Sequence, residues 1–197
     1  MQPFVTMSGR IAALPAANVD TDVIMPKQFL KGIDRSGLRN GLFFDLRRDP
    51  DFVLNRDGFS DARFLVVGAN FGCGSSREHA VWGLMQFGIR ALIGSSFAGI
   101  FNDNCARNGV LTVSLDDAAL AGVFAAAGDP ATNAIAIDLP MQTITLAATG
   151  ARIPFAIDAL QKDALLTGTD AVGATLRDAD AIRAFEAAHF AASPWLA

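Results

Sequence analysis

The segment Asn70-Phe71-Gly72-Cys73-Gly74-Ser75-Ser76-Arg77-Glu78-His79 holds most of what this chain can offer a small anion. The apolar run Phe64-Leu65-Val66-Val67 before it reads as a strand. After it, Ala80, Val81, Leu84 and Phe87 recur at helical spacing, which makes the segment a strand-to-helix turn. At such a turn the first N–H groups of the helix have no internal partner, and the helix dipole favours negative charge. Gly72 and Gly74 let the backbone come close to a ligand. Ser75 and Ser76 add two hydroxyls, and Arg77 adds a guanidinium able to grip a carboxylate with two parallel bonds. The same residues also suit a purely architectural role, a helix capped by Ser75 or Ser76 with Glu78 reaching back as capping-box partner.

Other chemistries are excluded nearby. Arg77 stands where the third glycine of G-x-G-x-x-G would be, and neither a phosphate-binding P-loop nor a G-x-S-x-G nucleophile elbow occurs. His79 could orient a serine or a substrate, or simply bond a backbone group. Asp20 and Asp22, in Asn18-Val19-Asp20-Thr21-Asp22, are candidate general acids or Asx-turn caps. Cys73 reads as a small wall residue of the anion loop and Cys105 as core. With two cysteines and two histidines, the chain by itself supplies too few ligands for a structural zinc or an iron–sulfur cluster. No metal is expected in it.

Composition sets the frame around that turn. A length of 197 residues fits one domain that buries roughly 70% of its unfolded surface. A hydrophobic fraction of 51% excludes disorder, and a net charge of −4 excludes a nucleic-acid binder that works by neutralising phosphates. Only 18% of residues are charged, less than in ordinary soluble domains, which suggests that part of the surface is covered by a partner chain. Met1-Gln2-Pro3-Phe4 lacks a basic region followed by an apolar run, and the longest apolar stretch, Ala118 to Gly128, is too short to span a bilayer. A cytoplasmic protein without membrane or nucleic-acid partners is the expectation.

The elements that must position the turn are clearest in the middle of the chain. Strands at Phe64–Val67, Ala91–Ile93 and Val110–Leu115 alternate with helices at Ser76–Phe87 and from Phe97 to Asn108-Gly109. That order implies parallel pairing with right-handed crossovers. Phe4 to Leu14 reads as two short strands about Ser8-Gly9, and Lys27 to Lys31 as one helical turn. Leu42 to Arg48 reads as a short helix within a long loop, Ile33 to Gly58. Downstream, a helix from Asp116-Asp117 to Ala126 precedes three strand-like segments, Ala134–Leu139, Gln142–Ala147 and Arg152–Ile157, forming an antiparallel meander. Asp158 and Asp178 begin the last two helices, the second with Ile182, Phe185 and His189 on one side. The fold class is α/β with mixed sheet topology.

Taken together, Gly72-Cys73-Gly74-Ser75-Ser76-Arg77-Glu78-His79, Asn18-Val19-Asp20-Thr21-Asp22 with Pro26, Lys27-Gln28-Phe29-Leu30-Lys31 and Ser96-Phe97-Ala98-Gly99-Ile100-Phe101 resemble the swivelling domain of the aconitase superfamily. The particular likeness is to the small subunits of 3-isopropylmalate dehydratases, from about Gly9 to Ile182. Val81-Trp82-Gly83 stands where Pro-Trp-Ala is usual. The resemblance implies a barrel-like β/β/α mixed sheet with flanking helices, a single domain over 1–197 and a mobile region about 28–60. It also implies a hydro-lyase subunit of leucine biosynthesis, active only with a large subunit that carries a [4Fe–4S] cluster, in a heterodimer or heterotetramer. Ser75 matches the serine that removes a carbon-bound proton. Arg77 matches the substrate-carboxylate ligand, with Ser76 and Gly74 beside it, and Phe29, Leu30 and Lys31 match a loop that meets the variable side group of a dicarboxylate substrate. His79, Asp20 and Asp22 would stand behind these. Related hydro-lyases acting on homoaconitate, 2,3-dimethylmalate or citraconate share the pattern, and a non-catalytic anion-binding or assembly module is the alternative of another class.

Overall fold

The computed structural model describes residues 1–32 and 35–196. The expected mobile region 28–60 includes Ile33 and Asp34, which lie outside the described residues, as does Ala197. One seven-stranded sheet organises the chain in the order β4-β3-β2-β1-β5-β6-β7. Its strands are β1 (Thr6–Leu14), β2 (Phe64–Val67), β3 (Ala91–Gly94), β4 (Leu111–Ser114), β5 (Ala134–Asp138), β6 (Thr143–Leu146) and β7 (Arg152–Pro154). The helices are α1 (Thr21–Ile24), α2 (Glu78–Phe87), α3 (Gly99–Asn108), α4 (Asp117–Ala126), α5 (Ala159–Thr167), α6 (Ala171–Leu176) and α7 (Ala179–Ala192).

Strands β1 to β4 are parallel and β1, β5, β6 and β7 antiparallel, so the mixed sheet expected from the element order is present. The two short strands expected between Phe4 and Leu14 are instead one. Ser8-Gly9 does not turn, because the strand changes partner along its length. Thr6 to Arg10 pair with β5, and Ile11 to Leu14 pair with β2.

Both faces of the parallel half are covered, which is why Phe64-Leu65-Val66-Val67 is apolar without alternation. Leu65, Val67 and Leu92 face a core built with Phe71, Leu84, Phe87 and Phe101. Phe64, Val66 and Ile93 face the other core, with Val113 of β4, Leu120 and Val123 of α4 and Leu165 of α5. The helix expected over Leu42–Arg48 shrinks to a 3₁₀ turn at Leu46–Arg48. Leu42 and Phe43 are fully buried, and Phe43 holds a positive φ of 48° that a continuous helix could not contain. The last helix, α7, buries none of its residues, and none of them belongs to either core. Phe185 stacks on His189 with ring centroids 5.4 Å apart, outside either core. The short α6 had no counterpart in the sequence reading; Asp170 caps it through the Gly173 N–H at 2.7 Å.

Candidate active site

The turn between β2 and α2 is held by the segment that precedes α1. The Gly72 N–H donates to the Val19 carbonyl (2.8 Å), and the Thr21 N–H donates to the Cys73 carbonyl (2.9 Å). The Thr21 hydroxyl donates to the Ser75 carbonyl at 2.8 Å. The backbone reverses through positive φ at Asn70, Gly72 and Gly74. Gly72 is the tightest point: a Cβ there would lie 2.1 Å from the Phe101 ring. Asn18-Val19-Asp20-Thr21-Asp22 is thus a strap along the loop. Within it Asp20 takes the capping role, accepting from the Val23 N–H at 2.8 Å.

No serine caps the helix. Its N-cap is Arg77, without a side-chain cap bond, and Ser75 and Ser76 are exposed. Glu78 is therefore the first residue of the helix rather than its third, too early to act in a capping box. Its carboxylate accepts from Asn108 Nδ2 (2.7 Å), while Asn108 Oδ1 accepts from Trp82 Nε1 (3.0 Å), tying α2 to α3. Among the described residues neither serine hydroxyl has a hydrogen-bond partner, and Ser75 is anchored by its carbonyl alone.

Facing them is the start of α3, capped by Ala98 with no side-chain bond. A cavity of about 120 Å³ lies between, lined by Thr21, Gly74, Ser75, Ser76 and Arg77 on one side and by Gly99, Ile100, Phe101 and Asn104 on the other. Among the described residues, no acceptor meets the backbone N–H of Ser75, Ser76 or Arg77, or those of Gly99, Ile100 and Phe101. Two helix N-termini and a guanidinium around one small cavity make it a receptor for anionic groups. The Arg77 guanidinium, with 18% of its side chain exposed, donates to the Asp22 carboxylate.

Other residues singled out from the sequence sit elsewhere. The His79 ring packs against Trp82 with centroids 4.7 Å apart and does not line the cavity. Phe29 meets Phe44 edge to face (5.0 Å); Phe29 and Leu30 pack half-buried against the first core, and Lys31 is exposed. None of the three lines the cavity. Cys73 Sγ lies 3.4 Å from the Asn18 carbonyl, and Cys105 is buried. The sequence reading missed Thr21, Ile100 and Asn104 as wall residues. A signal existed, since adjacent βα turns of a parallel sheet lie side by side at its carboxyl edge. Ser96–Phe101 is the turn after β3, next to the turn after β2.

Comparisons with known proteins agree with this fold. Residues 1–118 match the family model of the aconitase C-terminal domain, and residues 172–197 match that of the C-terminal domain of 3-isopropylmalate dehydratase small subunits. A curled mixed sheet with an anion-receiving loop of this kind places the molecule among the aconitase-type swivelling domains. The chain is 55% identical to 3-isopropylmalate dehydratase small subunit 1 of Mannheimia succiniciproducens, over 100% of this chain and 99% of that one. It is 54% identical to small subunit 2 of Salmonella typhimurium, over 100% and 96%. The crystal structure of 3-isopropylmalate dehydratase from Methanocaldococcus jannaschii superposes with a TM-score of 0.69 at 26% identity, covering 92% of this chain and 99% of that one. The chain belongs to the family of 3-isopropylmalate dehydratase small subunits.

Proposed function

We propose that this chain is the small subunit of a cytoplasmic hydro-lyase that interconverts 2-isopropylmalate and 3-isopropylmalate by dehydration and rehydration, in leucine biosynthesis. The observation that carries this reading is the convergence of Ser75, Ser76 and Arg77 with two uncapped helix starts on one cavity. Arg77 takes a substrate carboxylate, and Ser76 and the Gly74–Ser75 backbone lie beside it. Ser75 Oγ accepts the carbon-bound proton on dehydration and returns it to carbon on rehydration. A serine alkoxide is a strong base and needs compensating charge. The free N–H groups of the loop and the nearby guanidinium supply it.

The chain's own residues do not fit an iron–sulfur cluster. Cys105 is buried in the core, Cys73 stands on the loop, and no group of three or more metal-binding side chains forms among the described residues. The [4Fe–4S] cluster, which would act as a Lewis acid on the leaving hydroxyl, is assigned to a large partner subunit in a heterodimer or heterotetramer. Among the described residues, no helix is long and apolar enough to cross a membrane.

Phe29, Leu30 and Lys31 remain proposed determinants of the substrate's side group, acting when the partner closes the site. The test is to purify this chain with its large subunit and assay hydration over isopropylmalate, homoaconitate, dimethylmalate and citraconate. Turnover of isopropylmalate by the pair, and by neither chain alone, is expected. Preference for a tricarboxylate, or turnover by this chain alone, overturns the reading.

A further inference from the structure

Arginines stand side by side at the amino ends of the parallel strands, on the edge of the sheet opposite the Ser75 cavity. The Arg63 N–H donates to the Arg10 carbonyl (2.9 Å) and the Arg90 N–H to the Arg63 carbonyl (2.8 Å), which sets the three in a row across neighbouring strands. Like charges so placed repel. Arg10 is answered by Asp61, which accepts from it at 3.0 and 3.2 Å. Among the described residues, no carboxylate pairs with Arg63 or Arg90.

Arg90 is the deepest of the row, only 7% exposed. Its terminal nitrogens donate to Gln2 Oε1 and to the Gln2 and Pro3 carbonyls (3.0 and 3.3 Å), while its Nε has no partner among the described residues. These bonds pin the amino-terminal segment, but none of them supplies negative charge. Burial, and after it the charge on Arg63, hold the Arg90 pKa below the ordinary arginine value. A guanidinium this deep without a counter-ion is costly to keep.

A cavity of about 440 Å³ opens beside it, walled by Arg39, Arg63 and Arg90 together with Ser60 and Asp61. Arg39 reaches it from the 3₁₀ turn Leu38–Asn40, donating to the Gln86 and Phe87 carbonyls (3.4 and 3.1 Å) at the end of α2. Arg63 makes one long side-chain bond, to the Ser8 carbonyl at 3.4 Å. Both guanidiniums keep N–H groups free to grip an oxyanion. In a chain of net charge −4, three guanidiniums gather here around one carboxylate, and Arg10 already holds that carboxylate.

We propose that this cavity is a second anion site, which takes a small molecule bearing two or more negative charges on phosphate or carboxylate groups, gripped by Arg39 and Arg63 and set against the charge of Arg90. Either group offers the paired oxygens that a guanidinium fork matches. The site requires neither Ser75 nor any particular reaction.

The test is calorimetric titration at constant ionic strength, with inorganic pyrophosphate in one arm and citrate in the other. It uses the full chain and the assembled two-subunit enzyme, both carrying Arg77→Gln to weaken the Ser75 cavity as a competing receptor. One site per chain with a Kd below about 1 mM is expected for at least one probe. The tighter of the two then tells a phosphate ligand from a polycarboxylate. Adding Arg39→Gln or Arg63→Gln should weaken binding at least about tenfold. Without added anion, Arg63→Gln should melt no lower than its parent, because it removes the charge beside Arg90. Saturating probe should raise the melting temperature of the parent and leave that of Arg63→Gln nearly unmoved. Absence of binding by both probes overturns the proposal, as does binding that both added substitutions leave within about twofold. Binding by the free chain that the assembled enzyme lacks also overturns it, since the arginines would then serve acidic side chains of the partner.

Discussion

Asp22 and Arg77, separated by 55 positions in the chain, meet beside the cavity, and the carboxylate holds the guanidinium by one of its nitrogens. A guanidinium carries five N–H donors, so this bond leaves others free while reducing the orientations Arg77 can sample. Asp22→Asn in the assembled enzyme is therefore expected to raise KM by about tenfold with a smaller change in kcat. Stability should move by less than about 1 kcal/mol, since Asp22 is half exposed. Steady-state kinetics beside a urea titration separates the two effects.

Ser75→Ala should reduce kcat by about 10²–10⁴, the usual cost of losing a proton acceptor. Its denaturation midpoint should stay at the wild-type value, because the bond that anchors Ser75 uses its carbonyl and not its hydroxyl. A normal rate in this variant would show that another group takes the proton.

Arg77→Lys should raise KM strongly, since an ammonium cannot make two parallel bonds to a carboxylate. The same variant should assemble with the large subunit as wild type does, which size-exclusion chromatography would show.

Gly72→Ala is expected to destabilise the chain by at least about 2 kcal/mol, through both a φ of 78° and a collision with Phe101. Gly74→Ala should cost less. Its φ of 87° is unfavourable too, but the nearest atom, Asp20 Cβ, is 3.4 Å from the added carbon. Thermal melting of the two variants gives the order directly.

Burial pushes the Cys105 thiol above its ordinary pKa of 9.0. Above that pH the unfolded chain loses this proton while the folded chain keeps it. The thiol's contribution to stability is thus constant below pH 9 and declines as pH rises beyond it, by at most about 1.4 kcal/mol per pH unit. Unfolding free energies measured from pH 8 to 10.5 should fall more steeply for wild type than for Cys105→Ala.

What the sequence revealed depended on how local the cause was. The β2–α2–β3–α3–β4 run was readable because apolar strands, helical spacing and Asn108-Gly109 each act within a few residues. The continuity of β1 was not, since what removes the turn at Ser8-Gly9 is pairing with Ala136 and Ile135, far along the chain. The actual partner of Glu78 was hidden for a similar reason: its carboxylate answers to Asn108 on another helix. In the cavity, Ser75 and Arg77 stand out by residue type, whereas Asn104 is an ordinary helical asparagine until the fold sets it in the cavity wall.

The change of partner along β1 also bears on the order in which the molecule can form. The β5–β6–β7 meander closes through short turns, pairing Ala136 with Thr145 and Ile144 with Ile153, and loses little chain entropy in doing so. β1 is synthesised first, yet one of its two neighbours, β5, emerges only after β4 and α4. Its other pairing, Ile11 with Phe64, must close the whole irregular region between them. On a ribosome the amino-terminal strand therefore waits with its antiparallel half unpaired until most of the chain is made. The strap at Asn18–Asp22, which follows it, cannot settle on the Gly72–Ser75 loop any earlier than β1 itself docks. The Gly72–Ser75 loop would then be among the last parts of the domain to mature, and a nascent chain stalled before Ala134 would expose an unsatisfied strand edge to its neighbours.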